Sequence, residues 1–437
     1  MNKNTLSLIV AALCCGLSQS CSVDDGGSSN LEGKYTMVVD MLAPQKPVQL
    51  TAEQKVFACD NNMFTINFLK TVNQTERSGK SFIFSPLGVT YVLGMVNDAA
   101  TGDTEKELEQ TLGFHEGGIQ AVNEYCKNLI DNLPKADENA TLEIANAIFL
   151  NKQYQLKEQF KKDVEWYYDG RVEALDFSSS NTLEHINSWC RENTNDMIPS
   201  ILDKVDAEAV SYLLNAIYFK SDWTNKFDPK ETKNEAFTTE KGASTQLPLM
   251  HQTVMINYKK NDTYSAVVIP YGNGMWSMTV MLPEKGKTTD DIIDTLASKG
   301  FTISYDRYAD GAFSPYVVDL KIPRFKTSSD TDALDNGLVG LLQQMGIKLA
   351  FDPYAAEITN MANLPVFITE MRQKAAIEVT EEGTEASVIT VAESLAMSVA
   401  DPSLAPKADF HANRPFVYVI REASSGVILC VGKFTGE

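Results

Sequence analysis

The sequence predicts an α+β fold built as one large domain, and three observations lead there. Apolar residues recur at helical spacing through much of the first half of the 437-residue chain. Strand-grade runs crowd the second half. The two kinds of segment never alternate in the regular βαβ manner that a parallel α/β sheet requires, which leaves large mixed or antiparallel sheets. No composition break divides residues 51–437, and 43% hydrophobic residues supply ample material for a single core.

Taken in order, residues 62–72 read as an amphipathic helix. Residues 86–97 form a second, very apolar one, with Ser85 as its cap and Pro86 at the first helical position. Residues 104–112 open on a Thr-Glu-Lys-Glu capping pattern, and 182–195 and 289–298 are further helices. Strands are expected at 145–150, 207–219, 265–269, 275–282, 317–322 and 374–380, and most densely at 416–420 with 427–431.

Charge and cysteine usage exclude several function classes. A net charge of −20, with no Lys/Arg cluster to offset it, makes nucleic acid and anionic bilayers poor partners. Cys59, Cys126, Cys190 and Cys430 are widely separated and lack a second Cys or a His at metal-ligand spacing, so they read as small core residues. His115, His185, His251 and His411 are scattered singly, and no metal or other cofactor is expected. There is no Gly-x-Ser-x-Gly elbow, phosphate loop, Gly-rich dinucleotide turn or His-Glu-x-x-His, so no enzyme is expected.

Residues 1–21 read as an export signal: Lys3 is followed by an apolar stretch at 6–17 that is too short to span a bilayer, then small residues lead to Cys21. The Leu-Ser-Gln-Ser-Cys ending resembles a bacterial lipoprotein processing site, with Cys21 as the lipidated residue. Residues 22–50 would form a tether and N-terminal extension. Asp24-Asp25 within it resembles the acidic signal that sends lipoproteins of Bacteroidetes-type bacteria to the cell surface. Localisation is therefore expected to be exported, either lipid-anchored at the outer membrane and cell surface or secreted.

One segment fits no ordinary role. In residues 384–395 one parity is Thr384, Ala386, Val388, Thr390, Ala392 and Ser394, with no charge, and the other parity carries both Glu385 and Glu393. That is the period-two pattern of a strand with one face on a core. Gly383 precedes it as a hinge, and the following Met397-Ser398-Val399-Ala400-Asp401-Pro402 is loop-like. The segment is thus a loop chemically able to become an inner strand.

The rest of the chain resembles the serpin family throughout 51–437. The likeness is carried by NAIYFKSDWTNKFDPKETKNEAF at 215–237, with Trp223 and Phe227 in place, and by FSPLGVTYVLGMVNDAATGDTEKELEQTLGF at 84–114. LKIPRFK at 320–326, the MGI…AFDP run at 345–353, KAAIEVTEEGTEAS at 374–387 and FHANRPFVYVI at 410–420 complete it. The resemblance implies three β-sheets, about nine helices and an exposed reactive loop at about 381–402. In that reading Glu381, Glu382, Gly383, Thr384, Glu385 and Ala386 are the hinge. The cleaved bond, fourteen residues beyond Gly383, is Met397-Ser398. Ser85, Asn215, Trp223 and Gln373 lie at the latch and breach of the main sheet. A target protease would cut the loop, form an acyl-enzyme and be carried along as the loop inserts into the sheet. Two departures touch the latch. Gly88 stands where the family has a second Ser, and Gln373 stands where it has a His. Because Gln both donates and accepts, a rewired latch is expected. Cys430 replaces a customary aromatic, at a cost in packing.

No Lys or Arg occurs between Lys374 and Lys407, so trypsin-like pockets are poorly served, while unbranched Met397 suits chymotrypsin- or elastase-class enzymes. The expected function is suicide inhibition of such serine proteases by a monomer in covalent complex with its target, with membrane contact only through the lipid. The alternatives are a non-inhibitory serpin acting as a binding module and, with Leu395 as a subsite anchor, an inhibitor of papain-like cysteine proteases.

Overall fold

Helix α1 (Ala52–Thr75) begins where Thr51 and Gln54 each accept a hydrogen bond from the other's backbone N–H, at 3.1 and 3.2 Å, closing two of the free donors at the helix start. The computed structural model describes residues 45–76, 78–115, 117–194, 196, 198–301, 312–384 and 405–437. After α1 come β1 (Phe82–Phe84), α2 (Pro86–Ala99), α3 (Gly102–Leu112), α4 (Gly118–Asn132) and β2 (Thr141–Asn151). Next are α5 (Glu158–Tyr168), β3 (Arg171–Leu175), α6 (Thr182–Glu192) and β4 (Ser211–Asp222). Four strands, β5 (Lys233–Thr238), β6 (Ser244–Lys260), β7 (Tyr264–Tyr271) and β8 (Trp276–Pro283), lead to α7 (Thr289–Lys299). Then follow β9 (Ser314–Pro323), β10 (Phe325–Asp330), α8 (Gly337–Met345), β11 (Glu370–Val379) and β12 (Gly383–Thr384). The chain closes with β13 (Lys407–His411), β14 (Phe416–Glu422) and β15 (Ile428–Phe434).

Most of the expected strands have counterparts that run a few residues longer; the one expected at 275–282 is shifted by one residue, and the one expected from 207 starts at Ser211. The capping pattern at Thr104 needs correction. The cap position of α3 is Thr101, and Thr104 is buried inside the helix, where its hydroxyl accepts from Glu357 N at 3.0 Å. The tertiary contact outcompetes the local one. Helices α4, α5 and α8 and the long β6 escape the sequence reading, although all three helices are more amphipathic than α1 or α2.

Two hydrogen-bonded sheets organise the described residues, with eight α-helices around them. The larger runs β1-β15-β14-β8-β7-β6-β9-β13, with β5 also on β6. The 17-residue β6 pairs with β5 and β9 over most of its length and with β7 only at its end, from Asn257 to Lys260. Among the described residues two of the three expected sheets are thus joined through β6, and eight α-helices stand against the nine or so expected. The smaller sheet runs β10-β11-β12-β4-β2-β3. Its strands β2 and β4 are covered on both faces: Ile148, Leu213 and Ile217 join the main core, while Ala147, Phe149, Tyr212 and Leu214 pack under α6 against Trp189 and Cys190. Double burial explains why this stretch reads as a continuous apolar run rather than as alternation. Among the described residues no helix is long and apolar enough to cross a membrane.

Candidate functional site

The site is a seam in the smaller sheet. Most neighbours there are antiparallel, but β11 and β4 run parallel, in register from Glu370 opposite Tyr212 to Ala375 opposite Ile217. Beyond Ala375 the two strands part. After Val379 the chain turns, with Thr380 N donating to Gly383 O at 2.8 Å, and re-enters the gap as β12. Gly383 and Thr384 pair antiparallel with Asp222 and Ser221 of β4, and Thr384 pairs with Val379 of β11. A strand antiparallel to both banks has therefore begun to fill the fork.

Why Gly at 383? Its φ is not positive. A Cβ there would sit 2.2 Å from Ser221 O and 2.5 Å from Asp222 Cα, so close approach to β4 selects glycine, and not the backbone freedom expected of a hinge. Thr384 is buried, and its Oγ1 lies 2.7 Å from the hydroxyl of Tyr271, itself fully buried. Burial pushes the Tyr271 hydroxyl well above its ordinary range, so it stays protonated and serves as a neutral partner. Thr384 heads the predicted uncharged face; the remainder of that face, hinge residues Glu385 and Ala386 and the bond Met397-Ser398 lie outside the described residues, as does Cys21.

The turn into β12 is fastened from three sides. Trp223 N donates to Glu382 O at 2.8 Å, and its indole Nε1 donates to Thr380 O at 2.9 Å while the ring stacks on Tyr271 with centroids 4.3 Å apart. Phe227 N donates to Glu381 O at 2.9 Å. Lys226 bridges Asp222 at 2.8 Å and Glu382 at 2.7 Å. Glu381, its side chain only 7% exposed, accepts from Arg324 through two nitrogens and from Thr232 Oγ1 at 2.6 Å. Burial pushes the Glu381 carboxyl up, but the bonds from Arg324 and Thr232 overcome it and leave it below its ordinary value. Sequence reading named Trp223 and the hinge acids. It missed Tyr271, Arg324, Lys226 and Thr232, whose places depend on strands far apart in the chain.

Below the fork, amides form a row across three strands. Gln373 of β11 stands opposite Asn215 of β4, which stands opposite Asn146 of β2, and all three are buried. Gln373 Nε2 donates to Asn215 Oδ1 and to Ser85 O, both at 2.7 Å, and its Oε1 accepts from Ser85 N at 2.8 Å. Asn215 Nδ2 donates to Asn146 Oδ1 at 2.8 Å. Ser85, the cap of α2, also donates to Leu429 O at 2.5 Å, tying the row to β15. The two departures from the family pattern fit together here. A Cβ on Gly88 would fall 2.0 Å from Asn215 Oδ1, so the missing side chain makes room for the amide that Gln373 grips. Where the strands diverge, Ile217, Ala375, Ile377 and Thr384 roof a cavity of about 10 Å³ floored by Ile83, Ile420 and Cys430. The small thiol at 430 leaves this space; burial pushes it up to about 12, so it is inert. Cys126 and Cys190 are likewise buried, but Cys59 is exposed on α1, contrary to the core position expected of it.

The chain matches the profile of the Serpin (serine protease inhibitor) family over residues 60–436. Among curated relatives, human Serpin B11 is 28% identical, covering 85% of this chain and 97% of its own length. A serpin-like protein of Methanosarcina acetivorans is 24% identical over 97% of this chain and 95% of its own length. Solved structures that superpose include Serpin48 of the insect Tenebrio molitor, with a TM-score of 0.75, 25% identity and coverage of 88% and 99%. Human thyroxine-binding globulin in complex with thyroxine also superposes, with a TM-score of 0.73, 24% identity and coverage of 87% and 98%. The chain belongs to the serpin family and has the serpin fold, which joins it in general terms to protease inhibition.

Two outcomes are expected at this site. Replacing Gln373→Leu strands Ser85 N, Ser85 O and Asn215 Oδ1 in the interior, at about 1–3 kcal/mol for each group left unsatisfied, and should lower the urea midpoint sharply, whereas Gln373→His should lower it less. Glu381 contributes stability above its unfolded value of about pH 4.3, and that contribution is lost as pH falls through its lowered folded value. Thermal unfolding followed down to about pH 3.5 should show that loss, and Glu381→Gln should remove that share of the pH dependence.

Proposed function

We propose that this chain is a suicide-type inhibitor of chymotrypsin- or elastase-class serine proteases. The supporting observation is β12, a strand already started between β4 and β11 and antiparallel to both. A parallel pair is slightly less stable per residue than an antiparallel one. Continuing β12 downward exchanges one parallel ladder for two antiparallel ones, and the uncharged parity of residues 384–394 suits the core side of the sheet. In the proposed reaction the protease serine attacks the Met397 carbonyl. The Met397–Ser398 bond breaks, the Ser398 amine leaves with a proton, and Met397 stays esterified to the protease. Insertion of the freed segment then displaces the bound enzyme before water completes hydrolysis.

The latch reading of Ser85, Asn215 and Gln373 belongs to this proposal: the amide row holds the seam shut until the segment enters. So does the division into a signal at 1–21, a tether at 22–50 and an inhibitor domain at 51–437. Lipid attachment at Cys21 would hold a monomeric inhibitor at the bacterial surface. A binding-module role draws support from the shared fold of thyroxine-binding globulin, but the absence of charge or Pro at Thr384, Ala386 and Val388 favours insertion.

Incubation with chymotrypsin or neutrophil elastase should give an SDS-stable adduct of one protease per chain, with the new N-terminus at Ser398 by mass spectrometry. Turnover without adduct would exclude inhibition, and an adduct with papain alone would move the target to cysteine proteases. Thr384→Arg places an unpaired charge on the inserting face. It should raise the fraction of chains cleaved without trapping by more than roughly tenfold while Met397–Ser398 remains the cut bond.

A further inference from the structure

The larger sheet gathers two of the chain's four histidines around one carboxylate. On its outer strands, Asp409 of β13 stands directly opposite Asp319 of β9, and His411 and His251 flank Lys321 from the two sides. Period-two alternation puts 251, 319, 321, 409 and 411 on one face. His251 Nε2 lies 2.6 Å from Asp319 Oδ1, and His411 Nε2 lies 3.4 Å from the other oxygen, Oδ2. One ligand atom each from Asp319, Asp409 and His411 fall within 4.8 Å of one another.

Three features of this cluster ask for a cation. Like charges placed directly opposite on neighbouring strands destabilise a sheet, and Asp319 and Asp409 are so placed. The neighbouring Lys321 does not relieve them, because its Nζ is engaged by Glu235 at 2.6 Å. His411 Nε2 is closed off from solvent and has Asp319 Oδ2 at 3.4 Å, a long contact, while the side chain as a whole is 36% exposed. A buried ring nitrogen facing two carboxylates is the donor set of a metal site without the metal's pull.

We propose that Asp319 Oδ2, Asp409 and His411 bind one divalent ion of the zinc class. The imidazole and carboxylate set suits zinc and its neighbours better than magnesium or calcium. Ligand bonds of about 2.0–2.2 Å need donor atoms closer than they now stand, and Asp409, the exposed member of the three, is the one with room to turn inward. His251 is a positioning residue: by holding Oδ1 it turns Oδ2 toward the site, as outer partners do for metal-bound carboxylates. The ion would join β9 to β13, which is the edge strand of the sheet and pairs along its length with β9 alone among the named strands. It would thereby pin the strand that begins just after residues 385–404. Sequence spacing alone hides this site, since 251, 319 and 409–411 meet only through the register of three strands.

The test uses the untagged full chain stripped of metal. Zn²⁺ titrated by calorimetry should bind at one ion per chain, and Co²⁺ in its place should give visible absorption bands of an N/O site. Asp409→Asn and His411→Gln should each weaken binding by about tenfold or more, while His185→Gln, at a separate Glu173 contact, leaves it unchanged. Zn²⁺ should also slow hydrogen exchange of the amides of 407–411 in the parent chain and not in Asp409→Asn. Near-UV circular dichroism checks folding, and exposed Asp409 decides the matter if His411→Gln misfolds. Failure to bind Zn²⁺, or binding indifferent to Asp409→Asn and equal in His411→Gln, overturns the site and leaves an adventitious ion only.

Discussion

The candidate site of this molecule depends on a parallel seam inside a largely antiparallel sheet. Strands β4 and β11 are each paired antiparallel on their outer sides, to β2 and β10, and meet each other in parallel for six registered residues before parting at Ala375 and Ile217. A strand that runs antiparallel to both can enter such a gap without reversing either bank. Gly383 and Thr384 already do so, and the absence of a Cβ at 383 is what lets the backbone come that near to Ser221 and Asp222.

The two ends of the seam are held by different physics. Its closed end relies on a buried, cooperative row of amides from Gln373 through Asn215 to Asn146, capped by Ser85 at the start of α2. Satisfied polar networks of this kind specify one arrangement strongly, because any partial rearrangement leaves desolvated groups unpaired. One donor of the row, Asn146 Nδ2, finds no acceptor among the described residues. The open end relies on stacking and ion pairs: Trp223 on Tyr271, Glu381 with Arg324, and Lys226 between Asp222 and Glu382. Most of these open-end contacts reach the turn at 380–382 through its backbone carbonyls or its acidic side chains. The side chain of Thr384 faces the core, where it meets the Tyr271 hydroxyl.

The residues on either side of 385–404 are anchored in separate sheets. Thr384 belongs to the smaller sheet, and β13, starting at Lys407, belongs to the larger one, at its edge. Among the described strands, the chain before this stretch is paired into the fork and the chain after it is paired, in parallel, with β9 alone. The cluster of Asp319, Asp409, His411 and His251 lies across that second attachment. A divalent ion there would oppose release of β13 without touching the fork.

Much of this was legible in the chain itself, for reasons of local chemistry. The Ser85-Pro86 start of α2 and the apolar strands of the C-terminal half are properties of neighbouring residues, and local order expresses them directly. The long family-like motifs carried the fold and named Asn215, Trp223, Gln373 and the hinge acids. What only the tertiary structure decided is every relation set by strand register. The family resemblance already tied Gly88 and Gln373 to one latch with Asn215, and the tertiary structure decided how they fit: Asn215 Oδ1 occupies the room that Gly88 leaves and accepts from Gln373. Thr104 looks like a cap until Glu357 claims its hydroxyl. Tyr271 carries no signal, and Arg324 only that of the LKIPRFK motif, until β7 and the β9–β10 junction bring them to residues 380–384. Side-chain identity settles what a residue can bond to, but pairing strands hundreds of residues apart settles which partner is within reach.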